Sequence, residues 1–269
     1  MTADAGEGLA ARLGAGADEA DRFAAEHAHY APDLPLWRAV AGRLGGPVLD
    51  LGAATGRVAI PLAEDGHEVW AVDADHRMLA QLAQRAAAAG TEVAQRIRTV
   101  PADLRALSLA VRVPLAVAAM NTLQLLLEPE EQLRALQGVR EHLAPGGEFW
   151  FDVVMPDAGE ITASLGVVRS DGVHPDPESG GLLVRTAWYE GWDAVTQTAE
   201  YTVRIDAVAA DGAMTTRLRM HRVHLFTPPE LGHLLARAGL EPLQCWGGFA
   251  GEPLEDGALH QVYRCRAAA

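Results

Sequence analysis

The sequence predicts an α/β fold: a doubly wound, mostly parallel sheet carrying an antiparallel β insertion. Three observations predict it. Short apolar runs alternate with helical patterns five times in the first half of the 269-residue chain, the pattern of a parallel sheet covered on both faces. A glycine turn directly follows the first apolar run. The second half then changes to long strand-like runs joined by a hairpin signal, Asp211-Gly212.

Residues Asp18 to Tyr30 and Asp33 to Leu44 read as helices, the second with Leu34, Trp37, Val40, Ala41 and Leu44 at helical spacing. Met1 to Gly16 reads as a frayed tail. Val48-Leu49-Asp50-Leu51, bounded by glycines, is a buried strand. Gly56 to Asp65 is helical, Glu68 to Val72 a second strand, and Asp75 caps a helix that Gly90 closes. Ile97 to Val100 and Leu115 to Met120 are the third and fourth strands. Pro129 to Leu143 is a helix, Pro145-Gly146-Gly147 a turn, and Glu148 to Val154 the fifth strand.

Leu182 to Tyr189, Thr198 to Val208 and Thr215 to Phe226 form the insertion or lid. Thr227-Pro228-Pro229-Glu230 opens a helix with a cap, a proline at its first position and a glutamate at its third. Leu243 to Phe249 and His260 to Cys265 complete a seven-stranded sheet as an antiparallel edge pair. The expected division is 1–44 as N-terminal helices, 45–160 as ligand-binding core, 161–226 as lid and 227–269 as the end of the core.

Composition narrows the function. The formal net charge is −14 and the pI about 5.1, which disfavours nucleic-acid binding. All 22 basic residues are arginine, so Schiff-base chemistry and a lysine base are excluded. Cys245 and Cys265 fit a reduced, cytoplasmic setting. No signal peptide or membrane span is expected. His27-x-His29 and His221-x-x-His224 lack a third ligand, so no metal site is expected.

The Val48 to Arg57 stretch is a strand, a tight turn and a helix start. Gly52 permits the turn and a close ligand approach, and the helix start offers unpaired N–H groups suited to an anion. The dinucleotide pattern G-x-G-x-x-G fails, because its second and third glycines fall on Ala54 and Arg57. The P-loop fails because the chain has no lysine. Asp73 stands at the end of the second strand, where an acid accepts hydrogen bonds from both ribose hydroxyls. A ligand with a ribose and no pyrophosphate fits this pair.

These residues resemble the class I S-adenosylmethionine-dependent methyltransferases, over most of the chain. Asp50-Leu51-Gly52-Ala53-Ala54-Thr55-Gly56-Arg57 resembles the family's first motif, with Ala54 as a mild replacement of its middle glycine. The resemblance implies a Rossmann-like methyltransferase sheet. It makes Asp50, Gly52, Ala53 and Gly56 the cofactor turn, Asp73 and Ala74 the ribose site, and Met78 the hydrophobe on the adenine. Asp103-Leu104 becomes the adenine segment, with Asp103 receiving the exocyclic amine. Met120-Asn121 lies beneath the methionine part, and Leu143 to Gly147 matches a common family turn.

Transfer from a sulfonium rests mainly on alignment in a closed site. The expected acceptor is a small molecule, methylated at N, O or C, aromatic or amino-acid-like; the alternative is a macromolecular acceptor or a non-methylating role. His29 and Tyr30 near the N-terminus, and His174 in the Gly- and Pro-rich loop Asp171 to Gly181, are the candidate catalytic residues. Trp188 and Trp192 suit stacking on an acceptor, Arg222 a carboxylate, and Phe249 a pocket wall. The chain is expected to be a monomer or a homodimer.

Overall fold

The computed structural model describes residues 30–176 and 180–268 together with Ala20, Phe23, Ala24 and His27. Seven strands form the central sheet: β1 (Val48–Leu51), β2 (Val69–Asp73), β3 (Ile97–Pro101), β4 (Val113–Ala118), β5 (Leu143–Val154), β10 (Leu240–Trp246) and β11 (His260–Ala267). Their order is β10-β11-β5-β4-β1-β2-β3. β1 to β5 run parallel, while β11 is antiparallel to both β5 and β10.

All four residues of β1 are buried, as a strand covered on both faces requires. On one face Leu49, Leu51, Phe149 and Phe151 pack with helices α5 (Pro129–His142) and α7 (Pro228–Ala238), through Leu136, Val139, Leu231 and Leu235. On the other, Val48, Val117 and Trp150 pack with α1 (Leu34–Leu44), α2 (Ala59–Glu64) and α3 (His76–Ala89), through Trp37, Leu62 and Leu82. Each such buried large side chain contributes roughly 1.5–3 kcal/mol.

The local signals hold closely. Asp75 accepts from the Arg77 N–H at the start of α3. Thr227 and Glu230 form the full capping box of α7. The Pro145-Gly146-Gly147 turn sits inside a register shift: Val113 pairs with Leu143, but Leu115 with Glu148. Two short helices, α4 (Thr91–Arg96) and α6 (Ala158–Ala163), were not expected, because six residues carry too little periodicity to read.

The second sheet has four antiparallel strands in the order β6-β7-β8-β9: β6 (Arg169–Pro175), β7 (Leu182–Asp193), β8 (Thr198–Val208) and β9 (Met214–His224). β6 corrects the sequence reading, which had His174 in a loop; His174 pairs with Leu183 across β6 and β7. The pairing of a glycine- and proline-containing segment with β7 is a tertiary gain that local propensity hides. Gln124 ties this sheet to the core. Its buried amide donates to the His224 carbonyl at 3.0 Å and accepts from the Val154 N–H at 3.1 Å.

Candidate active site

The chemistry-bearing residues converge at the carboxyl ends of β1, β2, β4 and β5. After β1 the chain turns back sharply: the N–H groups of Gly52 and Ala53 both donate to the Val72 carbonyl, at 2.8 and 2.9 Å. Gly52 has φ +72, and a Cβ there would lie 2.6 Å from Thr122 Cγ2. Only glycine meets both demands. Ala54 also adopts a left-handed φ, +45. Its replacement of glycine is therefore not mild, because an L side chain is disfavoured there.

Asp73 resolves part of that conflict. Its two oxygens accept from the Ala54 N–H at 2.9 Å and the Asp75 N–H at 2.8 Å. Burial raises its pKa, and the backbone N–H bonds oppose the rise. The half-buried carboxylate is thus fixed at the end of β2 with lone pairs to spare.

The helix start after the turn is short, and its first N–H is already satisfied. α2 begins only at Ala59 and has six residues, and the Ala59 N–H bonds to Asp50. Asp50 is 2% exposed, and its Oδ2 has no partner. Burial pushes its pKa up to about 7, against the pull of Arg57 and with help from Asp73 and Asp33.

Arg57 is the cation at the centre of this group. It makes two 2.7 Å hydrogen bonds to Asp33, which is fully buried and also accepts from Trp37 Nε1 at 2.6 Å. Arg57 donates to the Tyr30 carbonyl at 3.3 Å and lies 5.3 Å from the Tyr30 ring. Burial, with Asp152 and Asp33 nearby, pushes the Tyr30 hydroxyl up to about 12.

The segment after β4 carries two successive left-handed residues, Met120 at φ +58 and Asn121 at φ +62. Asp152 on β5 accepts from the Met120 N–H at 2.7 Å. Asn121 Oδ1 is buried without a partner. Asp33, Arg57 and Asp152 were missed as site residues. The available signal was Asp152 itself, an acid inside the apolar run Phe149-Trp150-Phe151-Asp152-Val153-Val154.

Other expectations divide. Met78 is half-buried on α3, and Ala74 directly follows Asp73 at the end of β2. Asp103 caps a short 3₁₀ turn and is gripped by Arg105 at 2.6 to 2.9 Å; that ion pair lowers its pKa and competes with an adenine amine. Leu104 packs at the edge of the core. Phe249 lies against Trp37 and His260, with ring centres 6.2 and 4.7 Å apart.

A β-bulge between Tyr189 and Gly191 changes the phase of β7. Trp192 therefore joins Tyr189, Tyr201 and Ala199 in one cluster. Trp188 points to the opposite, outer face, where it donates to Glu190 at 2.7 Å. Arg222 is also on the outer face, paired with Glu200 at 2.9 Å and 63% exposed. Both corrections follow from strand parity. His174 stands on β6, the sheet edge away from β9, whose end meets the segment after β4. His29 lies outside the described residues. Among the described residues no three His, Cys, Asp or Glu side chains form a metal-binding group, and no helix is long and apolar enough to cross a membrane. A groove of about 540 Å³ between Arg112, Arg140 and Arg266 lies at the opposite, amino-terminal edge of the sheet. It is distant from this chemistry.

Residues 48–147 match the family model described as a methyltransferase domain. The cypemycin N-terminal methyltransferase of a Streptomyces species is 29% identical over 211 residues, 78% of each chain. The CcbJ methyltransferase of Streptomyces caelestis is 28% identical, with a TM-score of 0.76 over 91% of this chain and 96% of that one. The glycopeptide N-methyltransferase MtfA, solved with S-adenosylmethionine, is 26% identical, with a TM-score of 0.57 over 89% of this chain and 96% of its own.

The residues present fit that cofactor. Gly52 lets the turn after β1 pack directly on Thr122 of the segment after β4, Asp73 has acceptor capacity for a ribose, and two buried acceptors, Asp50 Oδ2 and Asn121 Oδ1, await donors. With the motif, the sheet order and the relatives in agreement, residues 48–147 form a methyltransferase domain and the chain has the fold of the class I S-adenosylmethionine-dependent methyltransferases.

Proposed function

We propose that this enzyme methylates an amine nitrogen of a small natural-product-type acceptor. The observation that carries the reading is the charge around Arg57: Asp33, Asp50 and Asp152 surround it, and Asp73 lies close to Asp50. Such a site attracts an ammonium and disfavours a carboxylate or phosphate acceptor. The name of the glycopeptide N-methyltransferase MtfA supports transfer to nitrogen, and that of the cypemycin N-terminal methyltransferase supports transfer to a chain terminus.

The bound cofactor supplies an electrophilic methyl group on a sulfonium. The chain's own residues hold and align. Asp73 binds the ribose, and Asp50 and Asn121 bind the methionine end. Met78 and Leu104 flank the adenine. Tyr30, Trp192 and Phe249 wall the acceptor side, and the four-stranded sheet covers it and keeps water out. A monomer or a homodimer performs this equally, since every group named belongs to one chain.

A peptide amino-terminus is the second reading. Leu125 and Leu259, 62% and 74% exposed, stand at the carboxyl edge of the sheet, where an apolar peptide would rest. One experiment separates the readings. The enzyme is incubated with the donor and with matched amines, alcohols and short peptides, and S-adenosylhomocysteine and methylated product are measured by mass spectrometry. Turnover with small amines is the expected result; turnover confined to alcohols sinks the amine reading, and turnover confined to peptides selects the second.

A further inference from the structure

Met120 and Asn121 put two adjacent side-chain-bearing residues in left-handed backbone. Asparagine tolerates this region; methionine does not. Such a conformation persists only when its surroundings over-determine it. Thr122 Oγ1 bonds the Ala119 carbonyl and the Gln124 N–H bonds the Asn121 carbonyl, but the two left-handed N–H groups themselves are held by one side chain. Asp152, 1% exposed, accepts from the Met120 N–H at 2.7 Å and from the Asn121 N–H. The pairing of β5 with its neighbours does not require an acid at this position. Phe149, Phe151 and Val153 fill the core on the far face, and Trp150 fills the near one.

We propose that Asp152 is a positioning residue: its carboxylate clamps Met120–Asn121 beneath the methionine end of the cofactor, and the clamp weakens when that carboxylate takes up a proton. This rests on the methyltransferase reading of the site. Burial drives the Asp152 pKa up to about 7; the two N–H bonds oppose the rise, Asp33 adds to it and Arg57 subtracts. The other groups facing it are Tyr30, which stays neutral across the range, and Arg57, which stays charged. Asp50, raised to about 7 on the same face of the sheet, is a second titrating group, and a variant separates the two.

The sign follows. Above about pH 7 the carboxylate is ionised and makes charge-assisted bonds to both amides, which are stronger than neutral ones. Below it one oxygen carries a proton and the grip loosens. Affinity for S-adenosylhomocysteine therefore rises with pH.

Two readouts test this, one with ligand and one without. Calorimetric Kd values for S-adenosylhomocysteine are compared at pH 6 and pH 8.5 in the wild type and in Asp152→Asn. The expected result is about tenfold weaker binding by the variant at pH 8.5, with most of the pH dependence gone. Amide hydrogen exchange is then followed at residues 119–122 of the ligand-free protein. In the wild type, protection corrected for intrinsic rate should drop on going from pH 8.5 to pH 6, and in Asp152→Asn it should be low at both. Full pH dependence retained by the variant assigns the effect to Asp50 and overturns the proposal, as does pH-independent protection in the wild type. Failure of the wild type to bind the ligand at any pH would instead sink the methyltransferase reading, while exchange still decides the clamp. The wild-type exchange arm also decides it if Asp152→Asn does not fold.

Discussion

The carboxylate of Asp73 accepts a hydrogen bond from the N–H of Ala54 at 2.9 Å, so the residue proposed to meet the ribose also holds the turn after β1 in shape. Asp73→Ala removes both functions at once. We expect the Kd for S-adenosylmethionine to rise at least about 100-fold, two charge-assisted hydrogen bonds at about 1.5–3 kcal/mol each. Calorimetry on a folded sample checks this, and near-normal binding would remove Asp73 from the site.

Ala54 itself stands at φ +45, where a side chain costs about 1 kcal/mol. Ala54→Gly should therefore stabilise the protein by about that amount and raise Tm by roughly 2 °C, while cofactor binding persists. An unchanged or lower Tm in a thermal scan would show that the turn is not strained.

Arg57 and Asp33 form a two-bond ion pair with Asp33 fully buried. Arg57→Met leaves Asp33 without its cation and deprives Asp50 of the charge that lowers its pKa. The expected loss is about 3–5 kcal/mol, because a buried charge is left uncompensated. Arg57→Lys should recover only part of it, since an ammonium cannot reproduce the bidentate fork. Denaturant unfolding of the three proteins measures both.

Asp50 is a stability liability. Its folded pKa, about 7, lies above the ordinary value of 3.8. The folded state then holds the proton more tightly than the unfolded one, so ionisation destabilises the fold as pH rises from about 4 to about 7. Asp50→Asn carries no such cost. The variant should gain stability relative to wild type steadily across that window and hold the gain above it. Its affinity for the cofactor should fall, because an amide meets an ammonium poorly. A stability difference independent of pH in parallel unfolding titrations would contradict this reading of Asp50.

How much was legible follows from where each signal lives. The glycine turn, the Asp75 cap, the Thr227 capping box and the alternation of β1 to β5 are local, and local chemistry writes them directly into neighbouring residues. β6 was missed because its pairing with β7 is long-range and its glycine and prolines read as a loop. Trp188 was placed wrongly because the bulge at Gly191 shifts parity by one, and a one-residue slip exchanges the faces of a strand. Arg222 was placed wrongly because its partner, Glu200, lies across the sheet on β8.

By itself the sequence determined the fold class, the order of elements, the glycine turn after β1 and the acid at the end of β2, because glycine conformations, caps and strand periodicity are set over a few residues. Only the tertiary structure decided that Asp33, Asp50 and Asp152 surround Arg57, that Asp152 holds Met120 and Asn121, and which face of the second sheet looks inward. Apart from Asp50, which is seven positions from Arg57, those relationships join residues 24 to 95 positions apart, and burial, which raises Asp50 and Asp152 toward neutrality, exists only once the sheet has closed around them.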